Sequence, residues 1–216
     1  MLFVPPQGPA DLEFEEAALR RLCGPTGGGP EGEGILAAVL ATPLGPMVAA
    51  AVPEGVCLLE FSNPMRLPVQ VRTLARRLTR RISPGNPPLL EHLQRELEAY
   101  FAGQLRTFTV PLFTLGTPFQ AAVWGELARI PYGTTLSYEA LAERIGKPAA
   151  FRAVGRANGM NPVSILLACH RVLNKSGSLC GYGGGLWRKQ ALLELERTGR
   201  LPAGLDTSHG AVQAPL

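Results

Sequence analysis

The chain has 216 residues, of which 46% are hydrophobic and 18% are charged, a composition typical of a folded protein with one or two domains. No run approaches the roughly 18 apolar residues of a membrane-spanning helix, and the first six residues lack the basic flank and long apolar stretch of a secretory signal. Four cysteines without a CxxC pair and only three histidines argue against a disulfide scaffold or a zinc site, so we expect reduced thiols in a cytoplasmic protein without metal or cofactor.

Charge is unevenly distributed along the chain. The total is 21 basic and 17 acidic residues, but Thr117–Arg200 alone contains 11 basic and 5 acidic residues, whereas the remainder contains 10 and 12. A basic C-terminal half favours a polyanionic partner such as nucleic acid. A solvated basic surface explains the same excess equally well.

The first third of the chain predicts a flexible arm followed by a small sheet. Residues 1–33 are rich in Pro, Gly and acidic residues, with a short helix possible at Leu12–Leu22. Three apolar runs separated by turn sequences then predict an antiparallel meander. These runs are Ile35–Ala41, Met47–Val52 and Val56–Phe61.

Two amphipathic helices are predicted next, over Leu67–Ile82 and Leu89–Gln104, with a break at Ser-Pro-Gly-Asn-Pro-Pro. They complete an N-terminal α+β domain over residues 34–115. The C-terminal domain, over residues 116–200, begins with a helix whose N-cap is Thr117 and whose capping box is completed by Gln120.

A helix-turn-helix is predicted within the C-terminal domain. One helix runs from Ser137 to Gly146, and another from about Ala149 to Asn158 follows after Lys147-Pro148. The second of the pair occupies the position of a recognition helix. It carries the small residues Ala150, Ala153, Gly155 and Ala157, with Arg152 and Arg156 one turn apart. Either it packs closely on a neighbouring helix and exposes both arginines, or it enters a narrow groove.

Cys169-His170-Arg171 is the candidate reactive centre, and the apolar residues before it predict a strand. A thiol is nucleophilic as thiolate, so it needs a base or positive charge nearby. His170 could accept the proton through a water, and Arg171 adds positive charge. Most buried cysteines are inert core residues, so Cys-His alone is a weak signal.

The residues that follow predict the other walls of a site. The Gly-rich stretch 181–185 either lines a pocket through its backbone amides, with Tyr182 as a wall, or forms a flexible surface loop. A final helix over Arg188–Arg197 places Glu196 one turn from Leu192. This carboxylate either faces the core, where His170 is the candidate partner, or is exposed and paired with Arg200. Residues 201–216 predict a flexible tail.

Taken together, these residues resemble the O6-alkylguanine-DNA alkyltransferases, the methylated-DNA–protein-cysteine methyltransferases. The family motif (I/V)PCHRV corresponds here to Leu167–Val172, and the resemblance is strong over about 117–197 and looser in the N-terminal half. The other matching positions are Thr117–Gln120, Val123-Trp124, Tyr132-Gly133, Ser137-Tyr138, Arg152–Gly155, Asn161-Pro162, Gly181-Tyr182, Gly184–Leu186, Lys189 and Leu192-Leu193.

The resemblance implies an α+β fold in which a small α/β (RNase H-like) unit precedes a helical, winged helix-turn-helix-like alkyltransferase domain. It implies a monomer that binds double-stranded DNA, flips out an O6-alkylguanine or O4-methylthymine, and moves the alkyl group to Cys169 once per molecule. His170 would act as base, Glu196 would orient it, and Asn161 would brace the turn.

The resemblance also assigns substrate and DNA contacts. Tyr138, the Val172 carbonyl, Tyr182 and the amide near Gly183 would contact the base. Arg152 would fill the space left by the flipped nucleotide, with Ala153 and Arg156 on the same DNA-binding helix.

Two positions depart from the family pattern. Ala168 replaces the proline before the cysteine, which loosens that turn, and Gly183 stands where some members have Ser. Cys180 is unexplained. Three alternatives stay open: a non-enzymatic binder of alkylated DNA, a cysteine hydrolase that uses Cys169 and His170, and a helix-turn-helix transcription regulator.

Overall fold

A computed structural model describes residues 16–21, 23, 34–63 and 65–202. Most of the predicted arm and nearly all of the predicted tail therefore lie outside the described residues. Residues 16–21 and 23 are helical, within or next to the short helix predicted at Leu12–Leu22, and Leu19 is buried.

The N-terminal half is a four-stranded sheet with two helices. Its elements are β1 (Ile35–Leu40), β2 (Met47–Val52), β3 (Gly55–Phe61), α1 (Leu67–Leu78), β4 (Ile82–Pro84) and α2 (Pro88–Phe101). The strand order is β3-β2-β1-β4. The predicted antiparallel meander is confirmed, but β4, which lies parallel to β1, is not predicted. The helix predicted to reach Ile82 instead ends at Leu78, followed by the C-cap residue Thr79 with a φ of 49°, because Ile82 pairs with Ile35 in the sheet.

Both faces of the sheet are covered. On one face, alternate residues of the strands pack against α1 and Leu19. On the other, Ala49, Leu59 and Phe61 join a core that contains α2 and the apolar residues of the C-terminal half. Since β2 and β3 are buried along their whole length, their sequences are apolar without alternation except at Glu60.

The C-terminal half is mainly helical. Its elements are α3 (Pro118–Ala128), β5 (Leu136–Ser137), α4 (Tyr138–Arg144), a 3-10 turn (Pro148–Ala150), α5 (Phe151–Gly159), a 3-10 turn (Cys169–Arg171), β6 (Val172–Leu173) and α6 (Leu186–Thr198). The capping box is present, with Gln120 N donating to Thr117 Oγ1 and Thr117 N donating to Gln120 Oε1. The helix pair α4–α5 confirms the predicted helix-turn-helix, and β5 pairs with β6 beside it.

The outer edge of β3 is where the two halves join. Leu59 exchanges backbone hydrogen bonds with Pro162 and Ser164 of the C-terminal half. Further along the same edge, Val56 exchanges them with Pro111 and Phe113, at the end of the N-terminal half. The strand predicted before Cys169 is wrong, because only Val163 forms a bridge to the sheet. The rest of the segment folds into tight turns, since an apolar run fits a buried loop as well as a strand.

Candidate active site

Two three-residue turns present the cysteine. Leu166 N donates to Ser164 O at 2.9 Å around Ile165, whose φ is 72°, and Cys169 N donates to Leu167 O at 2.7 Å around Ala168. Ala168 has φ −73° and ψ 54°, the values of an inverse γ-turn. A β-branched residue in the left-handed region is strained. The backbone before Cys169 is therefore held in a conformation that its own residues do not favour.

Asn161, predicted to brace this turn, is hydrogen-bonded to three residues of the segment. Its Nδ2 donates to Leu167 O at 2.8 Å and to Cys169 Sγ at 3.1 Å, while its Oδ1 accepts from Val163 N at 2.9 Å. The Cys169 side chain is buried. Burial raises the pKa of the Cys169 thiol to about 11, and the Asn161 hydrogen bond only partly opposes this. The resting cysteine is a protonated thiol, so its activation needs a base.

His170 and Glu196 form the predicted pair. His170 Nε2 lies 2.8 Å from Glu196 Oε1, and both side chains are buried. The alternative pairing of Glu196 with Arg200 is wrong. Arg171 instead contacts both carboxylate oxygens, through Nε and Nη2, at 2.8 Å each. Tyr100 of α2 donates to Oε1 at 2.7 Å, and Gly133 N donates to Oε2 at 3.1 Å.

The protonation state of this pair follows from its surroundings. Burial alone would raise the pKa of Glu196, but the His170 and Arg171 contacts outweigh it and hold that pKa well below the usual range. Burial lowers the pKa of His170 more than the carboxylate raises it. The imidazole is therefore neutral at pH 7 and donates to the carboxylate through Nε2. Its Nδ1 is buried without a hydrogen-bond partner among the described residues, which leaves it free to accept a proton.

Tyr138, Tyr182 and Lys189 lie close enough to Cys169 to interact with it electrostatically. Asn158 Nδ2 donates to the Tyr138 hydroxyl at 3.5 Å, and burial raises the pKa of that hydroxyl, with a further increase from the adjacent Cys180. Tyr138 is therefore a hydrogen-bond donor at neutral pH. The Val172 carbonyl accepts from Lys189 Nζ at 2.6 Å, and Lys189 also donates to Cys180 O at 2.8 Å. Because a carbonyl has two lone pairs, Val172 retains one acceptor position.

Gly183 has a packing reason to lack a side chain. A Cβ atom at this position would lie 2.7 Å from the Arg66 guanidinium, so a serine would displace Arg66. Tyr182 beside it contacts Phe61 edge-on, with ring centroids 6.5 Å apart. Burial raises the pKa of the Tyr182 hydroxyl well above its usual value. The Gly-rich stretch is thus packed against the N-terminal half and is not a free surface loop.

The second helix of the helix-turn-helix, α5, has two different faces. Arg152, Ala153 and Arg156 are exposed, and the Arg152 guanidinium lies 5.5 Å from the centroid of the Phe151 ring. On the inner side, a Cβ at Gly155 would contact the Tyr138 ring at 3.7 Å. The close packing of Gly155 on Tyr138 and the exposure of both arginines agree with the first interpretation of this helix. Entry into a groove stays a prediction.

Sequence reasoning did not assign roles to three buried polar residues, Lys189, Tyr100 and Glu60. For Lys189 a signal existed, because Lys189, Leu192 and Glu196 share one face of α6. No comparable signal marks Tyr100 or Glu60. No group of His, Cys, Asp or Glu side chains within the described part of the chain is placed to hold a metal ion. No helix in that part is long and apolar enough to cross a membrane.

Comparison with known families identifies both halves of the chain. Residues 118–198 match the 6-O-methylguanine DNA methyltransferase DNA binding domain, and residues 35–114 match the ribonuclease-like domain of the same family. Together these matches cover most of the sequence. The chain belongs to the 6-O-methylguanine DNA methyltransferase family, and the predicted family and fold class are confirmed.

Individual relatives agree with this family. A methylated-DNA–protein-cysteine methyltransferase of Mycobacterium leprae is 44% identical over 72% of this chain and 88% of its own length. One from Mycobacterium bovis is 57% identical over 51% of this chain and 66% of its own length, slightly under two thirds. The crystal structure of Mycobacterium tuberculosis OGT in complex with DNA has a TM-score of 0.64 and 40% identity, covering 78% of this chain and 95% of that one.

Proposed function

We propose that this protein repairs alkylated DNA by moving the alkyl group from O6 of guanine to its own Cys169. The observation that carries the proposal is a buried thiol that directly precedes a buried imidazole in sequence. The Nδ1 of this imidazole has no hydrogen-bond partner among the described residues, and its Nε2 is held by a carboxylate. The relatives named as methylated-DNA–protein-cysteine methyltransferases support the substrate class. The M. tuberculosis protein in complex with DNA supports a duplex as the partner.

The transfer is an in-line displacement at the alkyl carbon. The Cys169 proton passes through a water to His170 Nδ1, and Glu196 stabilises the imidazolium that results. Sγ forms a bond to the carbon as the bond from carbon to O6 breaks, and the electron pair of the broken bond goes to guanine.

Three groups contact the base as it departs. A hydrogen bond from Tyr138 stabilises the departing base. The free lone pair of Val172 O accepts from the exocyclic amine, and the Gly183 amide faces O6.

Access to O6 requires that the nucleotide leave the base stack, which costs a few kcal/mol. The exposed basic face of α5 suits entry into the minor groove, where Arg152 occupies the position of the flipped base. Arg156 and Ala153 contact the DNA beside it. The thioether formed on Cys169 is stable, so each molecule acts once. We include O4-methylthymine as a second substrate, and expect a cytoplasmic monomer that is nucleoid-associated when bound.

The test is intact mass after mixing with duplex DNA that contains O6-methylguanine. We expect a gain of one methyl group, about 14 Da, on Cys169 alone. The Cys180→Ser variant is the matched control and should gain the same mass. Cys169→Ala should gain nothing yet still bind DNA, because phosphate contacts supply most of the affinity. Binding to alkylated DNA without any gain in mass would instead establish the non-enzymatic binder.

A further inference from the structure

Glu60 is a buried carboxylate that the proposed chemistry does not use. It lies on β3 and is 1% exposed. Its Oε1 accepts from Ser164 Oγ and Phe61 N, each at 3.2 Å, and its Oε2 accepts from Gln70 Nε2 at 2.9 Å. A buried charged group costs free energy unless it is paired and hydrogen-bonded. Burial raises the pKa of Glu60 despite these hydrogen bonds, so this carboxyl costs the sheet free energy that an apolar residue at the same position would not.

Arg66 connects this carboxylate to the C-terminal half. Its Nη2 lies 3.7 Å from Glu60 Oε2 and donates to Gly159 O, at the end of α5, at 3.0 Å. The same guanidinium packs against Gly183. The Glu60–Arg66 pair thus contacts the recognition helix, the Gly-rich stretch and, through Ser164, the loop that carries the cysteine.

Ser164 stands at the strained point of that loop. It directly precedes Ile165, whose positive φ is unfavourable for a β-branched residue. Such a conformation persists only where the surroundings over-determine it. Ser164 is held through both its backbone and its side chain. Its N donates to Leu59 O at 2.7 Å, and its hydroxyl donates to Glu60.

We propose that Glu60 is a positioning residue for Cys169: by holding the Ser164 hydroxyl, it maintains the strained turn at Ile165 and thereby keeps the thiol against Asn161. The inference rests on the alkyl-transfer function proposed above. Arg66 keeps the carboxylate in place from its other side. Through this contact the N-terminal domain takes part in the reaction, although it contributes no group that touches the base.

The experiment compares Ser164→Ala with Gln70→Ala. Each variant removes one hydrogen bond to Glu60, but only Ser164 belongs to the cysteine loop. We expect the first-order rate of methyl transfer at saturating DNA to fall about tenfold in Ser164→Ala, because small displacements of a nucleophile are costly. The DNA concentration at half-saturation should change less than about twofold. Gln70→Ala should change neither quantity by more than about twofold.

A second measurement tests how firmly the loop holds the Cys169 thiol, and it needs no DNA. Iodoacetamide should modify Cys169 several-fold faster in Ser164→Ala than in the unaltered protein, because a loosened loop exposes the buried thiol, whereas Gln70→Ala should match the unaltered protein. If the unaltered protein transfers no methyl group, the proposed function fails, and the iodoacetamide ratio still decides the role of Glu60. Equal effects of the two variants, no effect of Ser164→Ala, or an effect on DNA affinity alone would overturn the inference.

Discussion

The Tyr100 hydroxyl donates to Glu196 Oε1 at 2.7 Å, across 96 positions of sequence. Tyr100 lies on α2 in the N-terminal half, and its ring packs against Phe101, Phe108 and Tyr132. The carboxylate behind His170 is therefore held from both halves of the chain at once.

Tyr100→Phe should separate the effect of this contact on stability from its effect on the reaction. The ring packing is kept and one hydrogen bond to a buried charged acceptor is lost, so the free energy of unfolding should fall by about 1–3 kcal/mol in urea titrations. The saturated transfer rate should change less than about threefold, since His170 and Arg171 still hold Glu196. A large loss of rate with unchanged stability would contradict this account.

The transfer rate should depend on pH through His170. The imidazole accepts the thiol proton only when it is neutral, and burial lowers its pKa below the usual 6.5. The saturated rate should therefore be level between about pH 7 and 8 and fall as the pH decreases through that lowered pKa. Binding of the same duplex by Cys169→Ala at each pH is the control.

A mechanism that does not use His170 predicts a different dependence of the transfer rate on pH. If transfer used thiolate formed without His170, the rate would rise steadily from pH 7 towards the Cys169 pKa of about 11.

The free energy of unfolding should also depend on the protonation of His170. Below pH 6.5 the unfolded chain binds more protons at His170 than the folded chain does, so the free energy of unfolding should decrease as the pH falls.

Arg152→Ala should slow repair of duplex DNA by more than about tenfold but leave transfer from the free base O6-methylguanine within about twofold of normal. A free base needs no flipping, and Arg152 is an exposed side chain away from the buried relay. Arg156→Ala is the matched control. Loss of its contact with the DNA phosphate backbone should weaken DNA binding and have little effect on the transfer rate at saturating DNA. Equal losses on both substrates would assign Arg152 to the fold.

Ala168→Pro should raise the saturated transfer rate without changing DNA affinity. The Ala168 φ of −73° is within the range of proline, and no hydrogen bond from its backbone N is present among the described residues. The ring should stabilise the protein by about 0.4–1 kcal/mol by restricting the unfolded chain. Single-turnover kinetics and thermal unfolding check both expectations. A slower folded variant would mean that the buried turn lacks room for the ring.

Local chemistry explains which elements could be predicted from the sequence. Turn residues bound the three strands of the meander, and the Thr117–Gln120 capping box marks the start of α3. The elements that could not be predicted depend on contacts with residues that are distant in sequence. The strand β4 exists because β1 lies beside it, and the turns around Ile165 exist because Leu59 and Glu60 hold Ser164.

The residues of the site likewise divide into those that local sequence predicts and those that depend on distant partners. Cys169, His170 and Asn161 lie close together in sequence, and the periodicity of α6 left two partners open for Glu196. The Tyr100–Glu196 and Glu60–Ser164 hydrogen bonds span 96 and 104 positions of sequence, and no local pattern encodes such a separation.

The covered edge of β3 has a consequence for how this protein can be divided. Leu59 on that edge pairs with Pro162 and Ser164 of the C-terminal half. A fragment ending near residue 115 would uncover part of a seven-residue strand in which Glu60 is the one charged residue, and an unpaired, largely apolar edge is a template for aggregation. The two halves should therefore melt in one cooperative transition, and repair activity should not be recovered by mixing separately expressed halves.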